Sequence, residues 1–127
     1  LATCCADPER QAVYRRAGCQ VLYLNEKNGH VDLRQLMERL GQEQIDSILL
    51  EGGGTLNWAA LECGIVQQVQ AYIAPKLFGG RDAKTPVEGV GVPAPDNAYR
   101  LKNSRMERLG EDLLIESEVE YPCSQES

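Results

Sequence analysis

Apolar residues recur at helical spacing in the first third of the chain, at Leu33, Leu36, Met37 and Leu40. This spacing predicts a helix with one apolar face, and Asp32 just before it is a suitable N-cap. An earlier helix is predicted over residues 8–17, because Asp7 and Pro8 supply an N-cap and a first helical residue and Gly18 can end it.

Short apolar runs flank these helices and predict strands over residues 1–5, 19–24 and 45–50. The pair Asn28-Gly29 predicts a turn before the second helix. Strands that alternate with helices at this spacing are typical of parallel βαβ units with right-handed crossovers.

The second half of the chain changes from this pattern to one of strands. The predicted elements are a helix over 56–63 that Gly64 ends, strands over 66–75, 99–109 and 113–121, and a hairpin turn at 110–112. Apolar and polar residues alternate along the last strand, which is typical of a strand with one buried face. The fold class is therefore α/β, with one mixed sheet, flanking helices and a carboxy-terminal antiparallel hairpin.

Composition limits the class of protein and its partners. The chain has 127 residues, 43% of them apolar, and a formal net charge of −6 without a basic run, which argues against nucleic acid or an anionic membrane as partner. No apolar run approaches the roughly 20 residues of a membrane span, and no signal peptide is visible. The five cysteines are an odd number without zinc-ligand spacing. We expect reduced thiols, no metal and a cytoplasmic location.

The first residue lies within a predicted strand and is not methionine. We therefore expect residues 1–127 to be the carboxy-terminal part of a longer protein, with a polar tail at 123–127. An incomplete sheet leaves an open edge and apolar surface. The chain alone is expected to show little turnover and to associate, as a homodimer.

Three consecutive glycines, Gly52, Gly53 and Gly54, join a predicted strand to a predicted helix. They can take positive φ and let a ligand approach the backbone, while Thr55 can cap a helix whose free N–H groups face the same point. This loop lacks the third spaced glycine of a dinucleotide fingerprint and the lysine of a Walker A loop. From the residues alone, a phosphate site and a merely tight turn remain open.

Several motifs together resemble one known family. They are Glu51-Gly-Gly-Gly-Thr-Leu-Asn57, Tyr72-Ile-Ala-Pro-Lys-Leu-Phe-Gly-Gly80, Asp82-Ala-Lys-Thr-Pro86 and Gly29-His-Val-Asp-Leu33. In this order and spacing they resemble the reductase domain of riboflavin biosynthesis, the carboxy-terminal half of a bacterial bifunctional pyrimidine deaminase/reductase. The resemblance covers the whole chain and implies the dihydrofolate-reductase-like fold.

The resemblance implies an NADPH-dependent oxidoreductase. It would reduce the ribosyl chain of 5-amino-6-(5-phosphoribosylamino)uracil to a ribityl chain. The residues that match the NADPH pyrophosphate site are Gly53, Gly54, Thr55, Leu56, Asn57, Trp58 and Ala59. Glu51 matches a residue that contacts the substrate, and Thr3 matches a hydroxyl near the adenosine 2′-phosphate. No catalytic residue is predicted, because the one histidine, His30, lies in a turn where a solvated side chain is expected.

Three departures from the family leave alternatives open. The deaminase half and the first strands of the reductase are missing, and Trp58 stands where a small residue is expected, so it either narrows the loop or covers the helix. The first alternative is a reductase of the same fold for another pteridine- or pyrimidine-like substrate. The second is a non-catalytic domain that binds nucleotide or supports a dimer.

Overall fold

The computed structural model describes residues 1–121, so the predicted tail at 123–127 lies outside the described residues. The chain divides into two compact units, Leu1–Leu49 and a second that begins at Leu50. Each unit is described by itself below.

The first unit opens with a parallel βαβ arrangement. Strand β1 (Ala2–Thr3) pairs with β2 (Leu22–Tyr23) in parallel, and helix α1 (Pro8–Arg16) forms the crossover. The Asp7 carboxylate caps α1 by accepting hydrogen bonds from the backbone N–H groups of Glu9 and Arg10, at 2.9 and 3.4 Å. The predicted helix, its cap and the parallel pairing are confirmed.

The unit continues with a two-stranded hairpin and a second helix. Strands β3 (Glu26–Lys27) and β4 (His30–Val31) pair in antiparallel fashion around the predicted Asn28-Gly29 turn. Helix α2 (Leu33–Gln42) follows with Asp32 as its N-cap, as predicted. His30 is exposed in the hairpin, which agrees with a solvated side chain.

Residues 45–50 do not form the predicted strand. Ile45, Ile48 and Leu49 are exposed by 43%, 49% and 74%. A strand exists only where its N–H and C=O groups pair with a neighbour. In residues 1–121 no strand pairs with this segment, so its apolar sequence does not become β-structure.

Within the described residues, the second unit contains one α-helix, one short 3-10 helix (Pro95–Asn97) and a three-stranded antiparallel sheet. Helix α3 (Gly54–Glu62) is followed by β5 (Gln68–Ile73), β6 (Arg100–Leu109) and β7 (Asp112–Glu120). The strand order is β5-β7-β6, and β6 and β7 form the predicted hairpin. Strand β7 is central, and Leu114 and Ser117, from both of its predicted faces, are buried. Its burial therefore does not follow the simple alternation that its sequence predicts.

The expected single mixed sheet is divided into three small sheets within residues 1–121. Two belong to the first unit, and the antiparallel sheet belongs to the second. The segment 45–50, which is predicted to be a strand of this sheet, pairs with none of the three.

An aromatic cluster organises the second unit around Tyr121. The Tyr99 ring makes edge contacts with Trp58 and Tyr121, at centroid distances of 6.0 and 5.5 Å. The Tyr121 hydroxyl accepts a hydrogen bond from the Val66 N–H at 3.0 Å and donates one to the Val66 carbonyl at 2.9 Å. Tyr121, the residue after β7, is thereby hydrogen bonded to the segment that leads into β5.

Tyr121→Phe should lower the free energy of unfolding by about 1–3 kcal/mol, because both backbone groups of Val66 lose their hydroxyl partner. Urea denaturation followed by Trp58 emission measures the loss. Tyr72→Phe is the matched control, since Tyr72 is 62% exposed and should change little. An equal effect of both substitutions would show that the Val66 bonds do not matter.

The same variant should alter the alkaline limb of the stability profile. Burial raises the pKa of Tyr121 above its usual value of 10.0, although the Val66 hydrogen bond lowers that pKa in part. A tyrosine whose pKa is higher in the folded than in the unfolded state stabilises the fold at pH values below its unfolded-state pKa. This stabilisation is lost as pH rises through its folded-state pKa. Wild-type protein should therefore lose more stability above pH 10 than Y121F does.

Candidate functional site

The glycine loop has one residue with positive φ and not three. Gly52 has φ +111°, whereas Gly53 has φ −77° and ψ −176°, which any residue can adopt. Gly54 is already the first residue of α3. Only Gly52 uses the positive φ that the sequence allows for all three glycines, because the chain turns at Gly52 and then enters the helix from an extended residue.

Thr55 does not cap the helix, contrary to the sequence prediction. The N-cap is Gly53, and no side chain of the described residues accepts a hydrogen bond from the first turn of α3. Because the helix begins one residue earlier than Thr55, that side chain lies within the first turn. Its hydroxyl donates instead to Oε2 of Glu88, at 3.4 Å.

The space in front of Gly53 is open. A Cβ built on Gly53 would have no neighbouring atom within 4 Å, and Gly53 is exposed. The N-terminus of a helix carries unsatisfied N–H groups and a partial positive charge, so it suits a phosphate or carboxylate oxygen. The residues present therefore fit a diphosphate group on the Gly53 side of the loop.

Residues 85–89, which we call the strap, cover the other side of the loop. The strap contacts α3 through the Glu88 N–H, which donates to the Gly54 carbonyl at 3.1 Å. The Asn57 side-chain amide donates to the Pro86 carbonyl at 2.8 Å. A Cβ on Gly54 would lie 2.9 Å from the Thr85 carbonyl oxygen. Glycine at position 54 thus allows the strap to approach the helix.

Trp58 packs beneath the strap. A Cβ on Gly89 would lie 2.3 Å from Cδ1 of Trp58, so the backbone at Gly89 lies directly against the indole. Trp58 is only partly exposed, and its buried indole N–H has no partner among residues 1–121. Trp58 thus contacts the strap, a contact that neither of its two sequence alternatives names.

The remaining predicted site residues lie in different surroundings. Glu51 is exposed immediately before Gly52, Leu56 is exposed by 41% on α3, and Ala59 is partly buried one turn after Thr55. Thr3 belongs to the first unit, where its hydroxyl accepts a hydrogen bond from the Cys5 N–H at 3.0 Å. One loop and helix thus hold the run from Glu51 to Ala59.

Glu88 and the strap are the part of the site that sequence reasoning missed. The motif that ends at Pro86 was recognised as part of the family pattern, but it received no role. Gly89 three residues later was the available signal, because glycine inside a polar loop often marks a close backbone approach.

A cavity of about 490 Å³ lies elsewhere, on the antiparallel sheet. It is lined by Gln68, Asn103, Ser104, Arg105, Glu116, Ser117 and Glu118. The Ser104 and Ser117 hydroxyls are hydrogen bonded to each other at 2.8 Å, at the irregular register of β6. The serines of this groove thus pair with each other, and the groove does not include the glycine loop.

Two kinds of feature are absent from residues 1–121. These residues contain no group of three or more His, Cys, Asp or Glu side chains placed to hold a metal ion. No helix of this part of the chain has the length and apolar character needed to span a bilayer.

An α/β fold with a glycine loop that opens a helix N-terminus is an architecture that nucleotide-binding proteins use. The chain belongs to the RibD C-terminal domain family, whose pattern matches residues 1–115. The predicted family is therefore confirmed.

Individual relatives agree with this assignment. The riboflavin biosynthesis protein RibD of Actinobacillus pleuropneumoniae is 47% identical over 122 residues, which are 96% of this chain and 32% of that protein. The 2,5-diamino-6-ribosylamino-4(3H)-pyrimidinone 5′-phosphate reductase of Methanothermobacter thermautotrophicus is 43% identical over 114 residues, 90% of this chain and 51% of that protein. The chain thus spans about a third to a half of the length of these relatives.

The fold also matches a solved structure. Acinetobacter baumannii RibD, form 1, has a TM-score of 0.73 at 25% identity, with 89% of this chain and 30% of that chain covered. The predicted α/β fold of the dihydrofolate-reductase type is confirmed.

Proposed function

We propose that this chain is the nucleotide-binding part of a riboflavin-pathway reductase. The reaction is the NADPH-dependent reduction of the ribosyl chain of 5-amino-6-(5-phosphoribosylamino)uracil to a ribityl chain. The observation that carries the proposal is the open helix N-terminus at Gly53 in a chain of the RibD C-terminal domain family. The relative from Methanothermobacter, which is named as a pyrimidinone 5′-phosphate reductase, supports the reaction class.

The residues of the loop and α3 would hold the cofactor pyrophosphate. Gly53 would bring the backbone close to the ligand, and the first turn of α3, which begins at Gly54, would supply N–H donors. When bound, NADPH supplies the hydride. The chain positions the nicotinamide against the acceptor carbon, and this orientation is a large part of what a reductase contributes.

Glu51 is proposed to contact the substrate and Thr3 the cofactor. The Glu51 carboxylate is exposed next to the glycine loop, where it can accept hydrogen bonds from ribose hydroxyls or from the pyrimidine edge. The Thr3 hydroxyl is half-buried at the end of β1, where α/β proteins place ligand contacts. Both roles rest on the family motif together with these positions.

The protein should prefer NADPH to NADH. A dinucleotide site that prefers NADH holds the free 2′-hydroxyl with an acidic residue about 20 positions after the glycines, at the end of the next strand. Here the strand after the loop, β5, carries Gln70, Ala71 and Tyr72 instead. Initial rates of the full-length protein with each cofactor and the phosphoribosylamino-pyrimidine substrate measure the preference. Faster reduction with NADH would contradict the proposed cofactor.

Two further outcomes separate the alternatives. In the full-length protein, Glu51→Gln should abolish most turnover and leave NADPH binding intact, because Glu51 is proposed to contact the substrate and not the pyrophosphate. NADPH oxidation with a different pteridine or pyrimidine and none with this substrate would favour a related reductase. Binding of NADPH without any turnover would favour a non-catalytic domain.

A homodimer and a cytoplasmic location complete the proposal. Leu77, Phe78 and Val90 are exposed by 103%, 94% and 95%, so apolar surface is available for a second copy. The cysteines Cys4, Cys5, Cys19 and Cys63 are free thiols, and free thiols persist in a reducing compartment.

A further inference from the structure

The strap places a carboxylate beside the proposed phosphate site. Glu88 is partly buried, and its Cγ and Cδ would lie 2.6 and 3.0 Å from a Cβ on Gly54, the first residue of α3. Its Oε2 accepts the Thr55 hydroxyl bond at 3.4 Å. Side-chain and main-chain atoms of Glu88 therefore both meet the first turn of the helix.

The position of Glu88 is fixed by the backbone of the strap and not by one weak side-chain contact. The Glu88 N–H is hydrogen bonded to the Gly54 carbonyl, and the neighbouring Pro86 carbonyl accepts from Asn57. Gly89 lies against the Trp58 indole. Because contacts on both sides of Glu88 join the strap to α3, the carboxylate is held beside the first turn of the helix.

The charge of Glu88 acts differently on the helix and on a phosphate ligand. A carboxylate next to the first turn of a helix interacts favourably with the positive end of the helix dipole. A diphosphate bound at the same N-terminus brings like charge close to Glu88, and the two repel each other. The helix N-terminus therefore stabilises either the Glu88 carboxylate or a bound diphosphate. The presence of both negative groups at the same helix end is unfavourable.

We propose that Glu88 competes electrostatically with the cofactor pyrophosphate at this helix N-terminus, and that the strap shifts away from α3 when NADPH binds. This inference rests on the proposed function, since it assumes that the pyrophosphate binds at Gly53. It assigns to residues 85–89 the role of setting the affinity of that site for its ligand. Thr55 and Asn57 hold the strap against α3 through their side-chain hydrogen bonds.

The test compares Glu88→Gln with the matched charge control Glu111→Gln, an exposed residue in the turn before β7. The dissociation constant of NADPH is measured for the wild-type protein and both variants, at low and high salt. E88Q should bind NADPH about fivefold more tightly, and the gap should shrink at high salt as the repulsion is screened. E111Q should bind as the wild type does. Glu88→Ala is the second variant and should also bind more tightly.

Inorganic pyrophosphate and the emission of Trp58 provide two readouts without catalysis. Trp58 is the single tryptophan and lies under the strap. If the strap opens, pyrophosphate should make Trp58 more accessible to acrylamide quenching. In E88Q this increase should occur at a lower pyrophosphate concentration. Unchanged or weaker NADPH binding by E88Q and E88A would overturn the strap inference and leave the proposed function standing. If the wild-type protein and both Glu88 variants fail to bind NADPH and pyrophosphate, the strap inference and the proposed function are both overturned.

Discussion

Gly53→Val should abolish NADPH binding, with a loss of affinity of at least about tenfold, while the chain remains folded. The valine side chain would fill the open space in front of the first turn of α3, where the pyrophosphate is proposed to lie. The backbone tolerates the change, because Gly53 has φ −77° and a Cβ there meets no atom. Titration with NADPH, followed by cofactor fluorescence, measures the affinity.

Two other substitutions control this result. Gly53→Ala places a smaller group in the same space and should give an intermediate loss of affinity. Gly41→Val adds the same side chain to α2, where a Cβ is also unhindered, and should leave NADPH binding unchanged. Unaltered affinity in folded Gly53→Val protein would refute the phosphate site at this helix end.

Gly89→Ala should lower the free energy of unfolding by about 3 kcal/mol or more, because two unfavourable effects combine. The residue has φ +100°, which alanine rarely adopts, and its Cβ would lie 2.3 and 2.5 Å from two ring atoms of Trp58. The strap and the indole must then separate. Urea denaturation gives the change in stability, and a red shift of Trp58 emission reports the separation.

Gly91→Ala separates the two effects. Gly91 also has positive φ, at +73°, but a Cβ there meets nothing within 4 Å. It should therefore lower stability only by the backbone contribution, about 1 kcal/mol, and leave Trp58 emission unchanged. Equal losses in the two variants would show that the Trp58 contact with the strap contributes nothing.

Helix limits and hairpin turns could be predicted from the sequence because their signals are local. Asp7 and Asp32 cap the helices that follow them, as predicted, since an N-cap needs only a side-chain oxygen and the N–H groups two or three residues later. The turns at Asn28-Gly29 and Gly110 likewise depend on residues that tolerate positive φ.

The candidate site was predicted only in part. The run from Glu51 to Ala59 does form one loop and helix, whereas its role in binding cofactor and substrate stays a prediction. The cap was misassigned to Thr55, because its hydroxyl type fits an N-cap but the helix begins one residue before it. The turn at Gly52 sets the residue at which α3 begins. The residue type at position 55 gives no information about that turn.

The sequence by itself determined the α/β class, the capped helices α1 and α2, the β6–β7 hairpin and the family. These follow from periodicity, short-range hydrogen bonds and ordered motifs, all of which are properties of neighbouring residues. Only the tertiary structure decided that residues 45–50 remain unpaired and that Glu88 lies beside the first turn of α3. Pairing of a strand and the approach of a loop from 33 residues away depend on contacts between distant segments, which local sequence does not encode.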